Sequence, residues 1–199
     1  MQSDYSIELG VEDEVLELPW SAHEQGLQYH DLKHHPELLC QIQEAERVPE
    51  LGGFLAAINS PGSILETAKC DVWASTDINP DEEIFAAPVK YGSYIDLLFS
   101  EETRRFSLPH HENLATSLTG LLKLAPEIPA AAEFLIRRCY YHYANDQTRD
   151  QTEDQTKEGF YITFYLFGYD SDDVFARQRW AIGLKLVENA ILQLSLRSS

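Results

Sequence analysis

Residues Phe160 to Phe167 run Phe-Tyr-Ile-Thr-Phe-Tyr-Leu-Phe without a charge, a glycine or a proline. An unbroken run of aromatic and β-branched residues predicts a strand buried on both faces, and therefore a strand in the interior of a sheet. That requirement constrains the rest of the chain, which has to supply neighbouring strands on both sides and cover for two faces.

Two further strands follow from alternation of period two. Thr67 to Ala74 places Ala68, Cys70 and Val72 on one face and Lys69, Asp71 and Trp73 on the other. Ser93 to Phe99 sets Ile95, Leu97 and Phe99 against Tyr94, Asp96 and Leu98. The two suit antiparallel pairing across an acidic connection, Ser75 to Pro88.

Helical spacing accounts for the cover. Pro36 suits a first helical position, with Glu37 in the first turn and Leu38, Leu39, Ile42 and Ala45 as a core face. Pro49 restarts a short helix through Phe54, Leu55 and Ile58. Leu114, Leu118, Leu121 and Leu122 stripe a third helix. Pro129 to Tyr143 reads as a fourth, with Ala132, Leu135, Ile136, Cys139 and Tyr143 on one side. Phe134 and Tyr141 fall on its opposite side, so the helix is either buried from both sides or presents an interface. The last helix has the cleanest stripe, Trp180, Leu184, Val187, Ile191 and Leu194, after Gly168 to Asp170 turn the chain.

This order gives an α+β fold: a small mixed or antiparallel sheet of three or more strands, covered by helices. A helical crossover between the strands at 93–99 and 160–167 would allow that pair to run parallel. At 199 residues the chain is expected to form one domain over 1–199. Residues 1–35 are expected to be an extended acidic arm, and Pro19 argues against a central strand there. Residues 145–158, with Asp-Gln-Thr repeated from Asp146, Asp150 and Asp154, are expected to be a polar low-complexity loop.

Charge then narrows the function. The chain has 15 Lys plus Arg against 33 Asp plus Glu, a net of −18. Residues 1–100 hold 4 bases and 19 acids (4 − 19 = −15), and residues 101–199 hold 11 bases and 14 acids (11 − 14 = −3). Nucleic-acid and anionic-membrane partners are therefore not expected, since both need a basic footprint. No apolar run reaches the ~20 residues of a bilayer span. Met1 to Tyr5 lack the basic start of a signal peptide, and Cys40, Cys70 and Cys139 make no disulfide framework. A reducing cytoplasm fits both, with buried free thiols the expectation.

Three constellations offer chemistry. The polar sheet face carries Lys69, Asp71, Trp73, Asp96 and Tyr165, with Tyr94, Tyr161 and Thr163 beside them. It reads either as a ligand pocket with a Lys–Asp pair or, more plainly, as a half-solvated sheet face. The arginine doublets of the second half supply Arg137, Arg138 and Arg177, with His142 four residues beyond Arg138. They read as an anion site or as internal ion pairs, with Glu133–Arg137 and Asp173–Arg177 at favourable helical spacing. His30, His34, His35 and His110, His111 lack a metal-binding pattern, so no metal is expected.

The sequence carries no G-x-S-x-G, phosphate-loop, dinucleotide or C-x-x-C motif. No catalytic residue and no cofactor is assigned from it. The first expectation is an acidic binding or interaction protein that self-associates, a homodimer being the simplest assembly, with Phe134 and Tyr141 in the interface. The alternative is a protein or enzyme that takes a small anionic ligand on the polar sheet face with nearby arginines.

Overall fold

The computed structural model describes residues 1–198 except 11, 14, 23, 25, 77–84 and 144–154. Its elements are β1 (Gln2–Glu8), β2 (Leu16–Leu18), β3 (Ser21–Ala22), β4 (Leu27–Gln28), a 3-10 helix (Pro36–Gln41), α1 (Gln43–Arg47) and α2 (Pro49–Ile58). They continue as β5 (Leu65–Ser75), β6 (Val89–Phe99), α3 (Glu102–Arg105), α4 (Leu108–Lys123), β7 (Ala130–Tyr143), β8 (Gln155–Asp170) and α5 (Asp173–Ser198). Six strands make one mixed sheet in the order β1-β7-β8-β6-β5, with β2 also on β7, so the chain is α+β. No helix among the described residues is long and apolar enough to cross a membrane.

The Phe160–Phe167 run lies in β8, between β7 and β6 and antiparallel to both. Ile162, Phe164 and Leu166 face the helices and are fully enclosed there with Phe134, Ile136, Ile95 and Leu97. α5 lays its stripe across them: Trp180, Leu184, Val187 and Ile191 are buried, and the Trp180 indole donates to Ser93 Oγ at 2.9 Å. Gly168 is not a turn residue but part of β8. A Cβ at this position would collide with the backbone of Ala176 and Trp180, so glycine is what lets α5 approach the sheet so closely.

The segment expected to be a helix over 129–143 is instead β7, a central strand. Its residues Ala130, Ala132, Phe134 and Ile136 face the helices, while Leu135, Cys139 and Tyr141 are buried on the opposite face. A strand apolar on both faces contains three- and four-residue spacings by chance, and only Ile136 in it is β-branched. Pairing with β1 and β8 outweighs that local pattern. Phe134 and Tyr141 are consequently inside the fold, 0% and 5% exposed, not on an outward helix face. The crossover from β6 to β8 also contains a strand, so these two run antiparallel rather than parallel.

The described part of residues 1–35, expected to be an extended arm, lies against the sheet. β1 runs parallel to the first half of β7 and β2 to its second half, completing the sheet edge. After β2 the chain crosses the face opposite the helices, from β7 to β5. This strap buries Leu16 and Leu18 against Ala68, Leu98, Tyr161 and Tyr141, with Trp20 and Tyr29 packed alongside. It is fastened to β5 by Trp20 Nε1, which donates to Ala68 O at 2.8 Å, and by Lys33. The Lys33 ammonium donates to the carbonyls of Ser60, Ser63 and Leu65 at 2.9, 2.6 and 3.0 Å. Burial lowers its pKa from the ordinary lysine value. The 145–158 expectation falls largely outside the described residues; its last four, 155–158, belong to β8.

Candidate functional site

β5 is the outer strand of the sheet, and its ladder with β6 slips between Thr67 and Cys70. The slip has a cause on each side. Asn59, at the end of α2, accepts from the Thr67 amide at 3.0 Å and donates to Thr67 Oγ1 at 2.8 Å, holding Thr67 toward the helices. Ala68 therefore turns to the opposite face, beneath the strap, rather than sharing a face with Cys70 and Val72. A bulge of this kind re-aims the side chains after it.

Where the strap rounds the bulged edge, it leaves a cavity of about 530 Å³. That volume lies within the range of small-molecule sites, roughly 300–1,000 Å³. Its floor is apolar, from Leu32, Ile42, Leu55 and Ala68, and Trp20 and Tyr94 add aromatic surface. Its polar lining comes from four places: the β3–β4 hairpin, His30, the Gln41–Glu44 segment, and Lys69 to Asp71 of β5. The Lys69 ammonium sits over the Trp20 ring, 5.6 Å from its centroid.

Lys69 forms no ion pair among the described residues, which sets it apart from most cations of the chain. Arg137 binds Glu8 at 2.8 Å, Arg177 binds Glu50 at 2.7 Å, and Arg179 binds Asp170 at 3.0 Å. Arg138 donates to Leu9 O at 2.8 Å and reaches Glu158 at 3.7 Å, while His142 meets Glu17 at 2.7 Å. The arginines are thus paired internally, though not through the helical spacings expected. Arg137 lies on a strand and finds Glu8 across the β1–β7 ladder; Arg177 finds Glu50 on α2.

Of the nine residues expected at a ligand site, Lys69 and Asp71 line the cavity. Trp73 and Tyr165 lie further along the same sheet face, packed with Tyr94 and Phe167. Asp96 is buried beneath, accepting from Thr163 Oγ1 at 2.8 Å. Arg137, Arg138, His142 and Arg177 lie elsewhere. The sheet face is therefore divided: strap and cavity at one end, an aromatic cluster at the other.

The strap also covers a buried ion pair. Glu66, 4% exposed, binds Arg105 at 3.0 Å, and Tyr29 Oη donates to Glu66 at 3.5 Å. Burial raises the Glu66 pKa above the ordinary carboxylate value, and Arg105 opposes the rise. Arg105 also holds Phe99 O at 2.7 Å, so its guanidinium has a structural task as well. Of the histidines, His30 lines the cavity, and His34, His35 and His110 are exposed beside Asp31, Glu37 and Ser107. His111 is 1% exposed, wedged between Phe99 and Phe160. Among the described residues, no three His, Cys, Asp or Glu side chains gather to hold a metal. All three cysteines are free; Cys40 is exposed rather than buried, while burial, then Glu44 and Asp71, push the Cys70 thiol up to about 12.

Sequence reasoning missed Trp20 and the Gln41–Glu44 segment, and weighed His30 only as a metal ligand. Their contribution depends on the strap's path, and no periodicity encodes that path. The one local signal was the spacing of Leu16 and Leu18, both buried. No protein-family model, curated protein or solved structure matches the chain.

Proposed function

We propose that the chain binds a small organic molecule in the cavity between the strap and the bulged edge of β5, with Lys69 as the anchor for an anionic group. The observation that carries this reading is an ammonium in a cavity with no acid partner among the described residues, within a half-chain of 19 acids and 4 bases. A lysine held on an aromatic face remains available to an anionic group of a ligand. The apolar floor supplies burial energy and the rim supplies orientation. The arginines expected to share this role are engaged elsewhere.

Ligand-observed NMR against a panel of small organic acids and zwitterions tests the reading. Binding that disappears in Lys69→Met is the expected result. A panel that leaves the chain silent, or hits indifferent to Lys69, would overturn it.

Self-association is a second reading, favoured by one observation. Phe175 and Ile182, seven residues apart on α5, are 47% and 44% exposed, with Val174 beside them at 65%. An apolar face of this kind suits a second copy of the chain. Sedimentation equilibrium should then show a dimer that Phe175→Glu dissociates; a monomer at high concentration removes this reading.

A further inference from the structure

Resting on the self-association reading above, we propose that two copies of the chain pair through the outer face of α5, with the two helices antiparallel. Phe175, Ile182, Asn189 and Leu196 are all exposed and follow one another at intervals of seven residues. At 3.6 residues per turn, seven residues are nearly two turns, so the four share one stripe on the solvent side. The opposite side of α5 is committed to the core through Trp180, Leu184, Val187 and Ile191. The helix has 26 residues, which at about 1.5 Å each gives a seam of about 39 Å. A single helix face from each copy is a small interface, so a weak dimer is expected.

The stripe alone suits either direction. Parallel helices would set each residue against its own copy, Asn189 on Asn189. Antiparallel helices would set Phe175 against Leu196 of the second copy, and Ile182 against Asn189.

The charges at the two ends choose between these. Asp172 is exposed and caps α5, accepting the Phe175 amide with Oδ1 at 3.0 Å. That bond leaves its other oxygen for a further donor. Arg197, in the last turn, is exposed and forms no ion pair among the described residues, whereas Arg177 and Arg179 of the same helix are paired. Asp172 lies three residues before Phe175, and Arg197 one residue after Leu196. At about 100° per residue, these steps turn to the same flank of the stripe, by about 60° and 100°.

An antiparallel partner keeps that flank on one side of the seam. Arg197 of each copy then comes beside Asp172 of the other, at both ends. A parallel partner brings acid level with acid and base level with base. The helix dipoles likewise favour opposite directions. The two copies of Lys185 meet at the middle of the antiparallel seam, and each is neutralised by Glu188 of its own helix.

Disulfide trapping reads the direction. The background is Cys40→Ser, which removes the exposed thiol. Chains with Ile182→Cys mixed with chains with Asn189→Cys are expected to form a crosslinked heterodimer under mild oxidation. Ile182→Cys alone should stay uncrosslinked. Its own copy would lie seven residues away along the seam, roughly 10 Å at about 1.5 Å per residue and beyond disulfide reach. A double-mutant cycle then reads the ends by sedimentation equilibrium. Asp172→Asn, which keeps the cap, and Arg197→Gln should each weaken the dimer about two- to fivefold, and the double variant should be no weaker than either. Crosslinking of Ile182→Cys to itself, or of neither combination in a chain that sediments as a dimer, would overturn the antiparallel pairing and leave self-association standing. A monomer at high concentration of the unaltered chain would overturn both.

Discussion

The two faces of the sheet are built differently. On the helix side, β6, β7, β8 and α5 enclose side chains that are almost entirely apolar, and the one buried indole finds its partner in Ser93. On the strap side, a smaller apolar cluster shares its space with the Glu66–Arg105 pair, the Asp96–Thr163 hydrogen bond and Tyr29, and a cavity opens at its margin. The first face supplies cohesion that is non-directional and proportional to area. The second adds directional contacts, from Trp20 Nε1 to Ala68 O and from Lys33 to the carbonyls of Ser60, Ser63 and Leu65. The helix face is therefore the larger apolar core, and the cavity opens where the strap meets the edge of β5, with Leu32 and Leu55 of that core in its wall.

That division is testable by breaking each side in turn. The largest effect is expected on the helix face. Trp180→Ala empties the centre of the core and should cost about 3–5 kcal/mol, measured by denaturant unfolding as one cooperative transition. Next comes the strap face. Arg105→Met strands Glu66 in a buried site and should cost about 3 kcal/mol, with part recovered in the double variant carrying Glu66→Gln. If the faces differ as described, hydrogen exchange in Arg105→Met rises first in residues 16–33 rather than in β8.

A pH titration probes the helix face a second time, through His111 of α4 packed on Phe99. Burial lowers the His111 pKa from 6.5 to about 4. Between those values the unfolded chain takes up a proton that the folded chain refuses. Stability should therefore fall as pH drops from about 6.5 to about 4, by roughly 3 kcal/mol from this group, with no further loss from it below. His111→Phe should flatten that slope; an unchanged slope would assign it to other groups. The smallest effects belong to the surface. Arg177→Ala removes an exposed pair and should cost less than about 1 kcal/mol. Lys69→Met should change stability by no more than about 0.5 kcal/mol while abolishing binding, and that contrast separates a ligand anchor from a structural residue.

The fold was legible where a pattern had one explanation. The Phe160–Phe167 run marked the central strand, and the stripe from Trp180 to Ile191 marked the helix that covers it. It was illegible where a pattern had two. β7 is apolar on both faces and poor in β-branched residues, so helical spacing described it equally well until its partners were known. The arginine pairings failed with it, because Glu133–Arg137 presupposed a helix. At the site, Lys69 and Asp71 were visible as polar positions alternating on a strand. The bulge that aims them was not, since it arises from Asn59 gripping Thr67. Nor was the strap, whose Trp20 reaches β5 and whose His30 reaches the cavity only through the path of the intervening chain.

The central claim is that ligand binding engages the cavity lining, from the strap, the β5 edge and Leu55 of α2, and leaves the centre of the sheet beneath α5 untouched. Hydrogen exchange of the full chain with and without a saturating small organic acid from the panel measures this directly. The account predicts added protection confined to residues 20–44, the α2 turn at Leu55, and 67–71, absent in Lys69→Met. Protection spread over β7, β8 and α5, or none at these segments while the acid is bound, would contradict it.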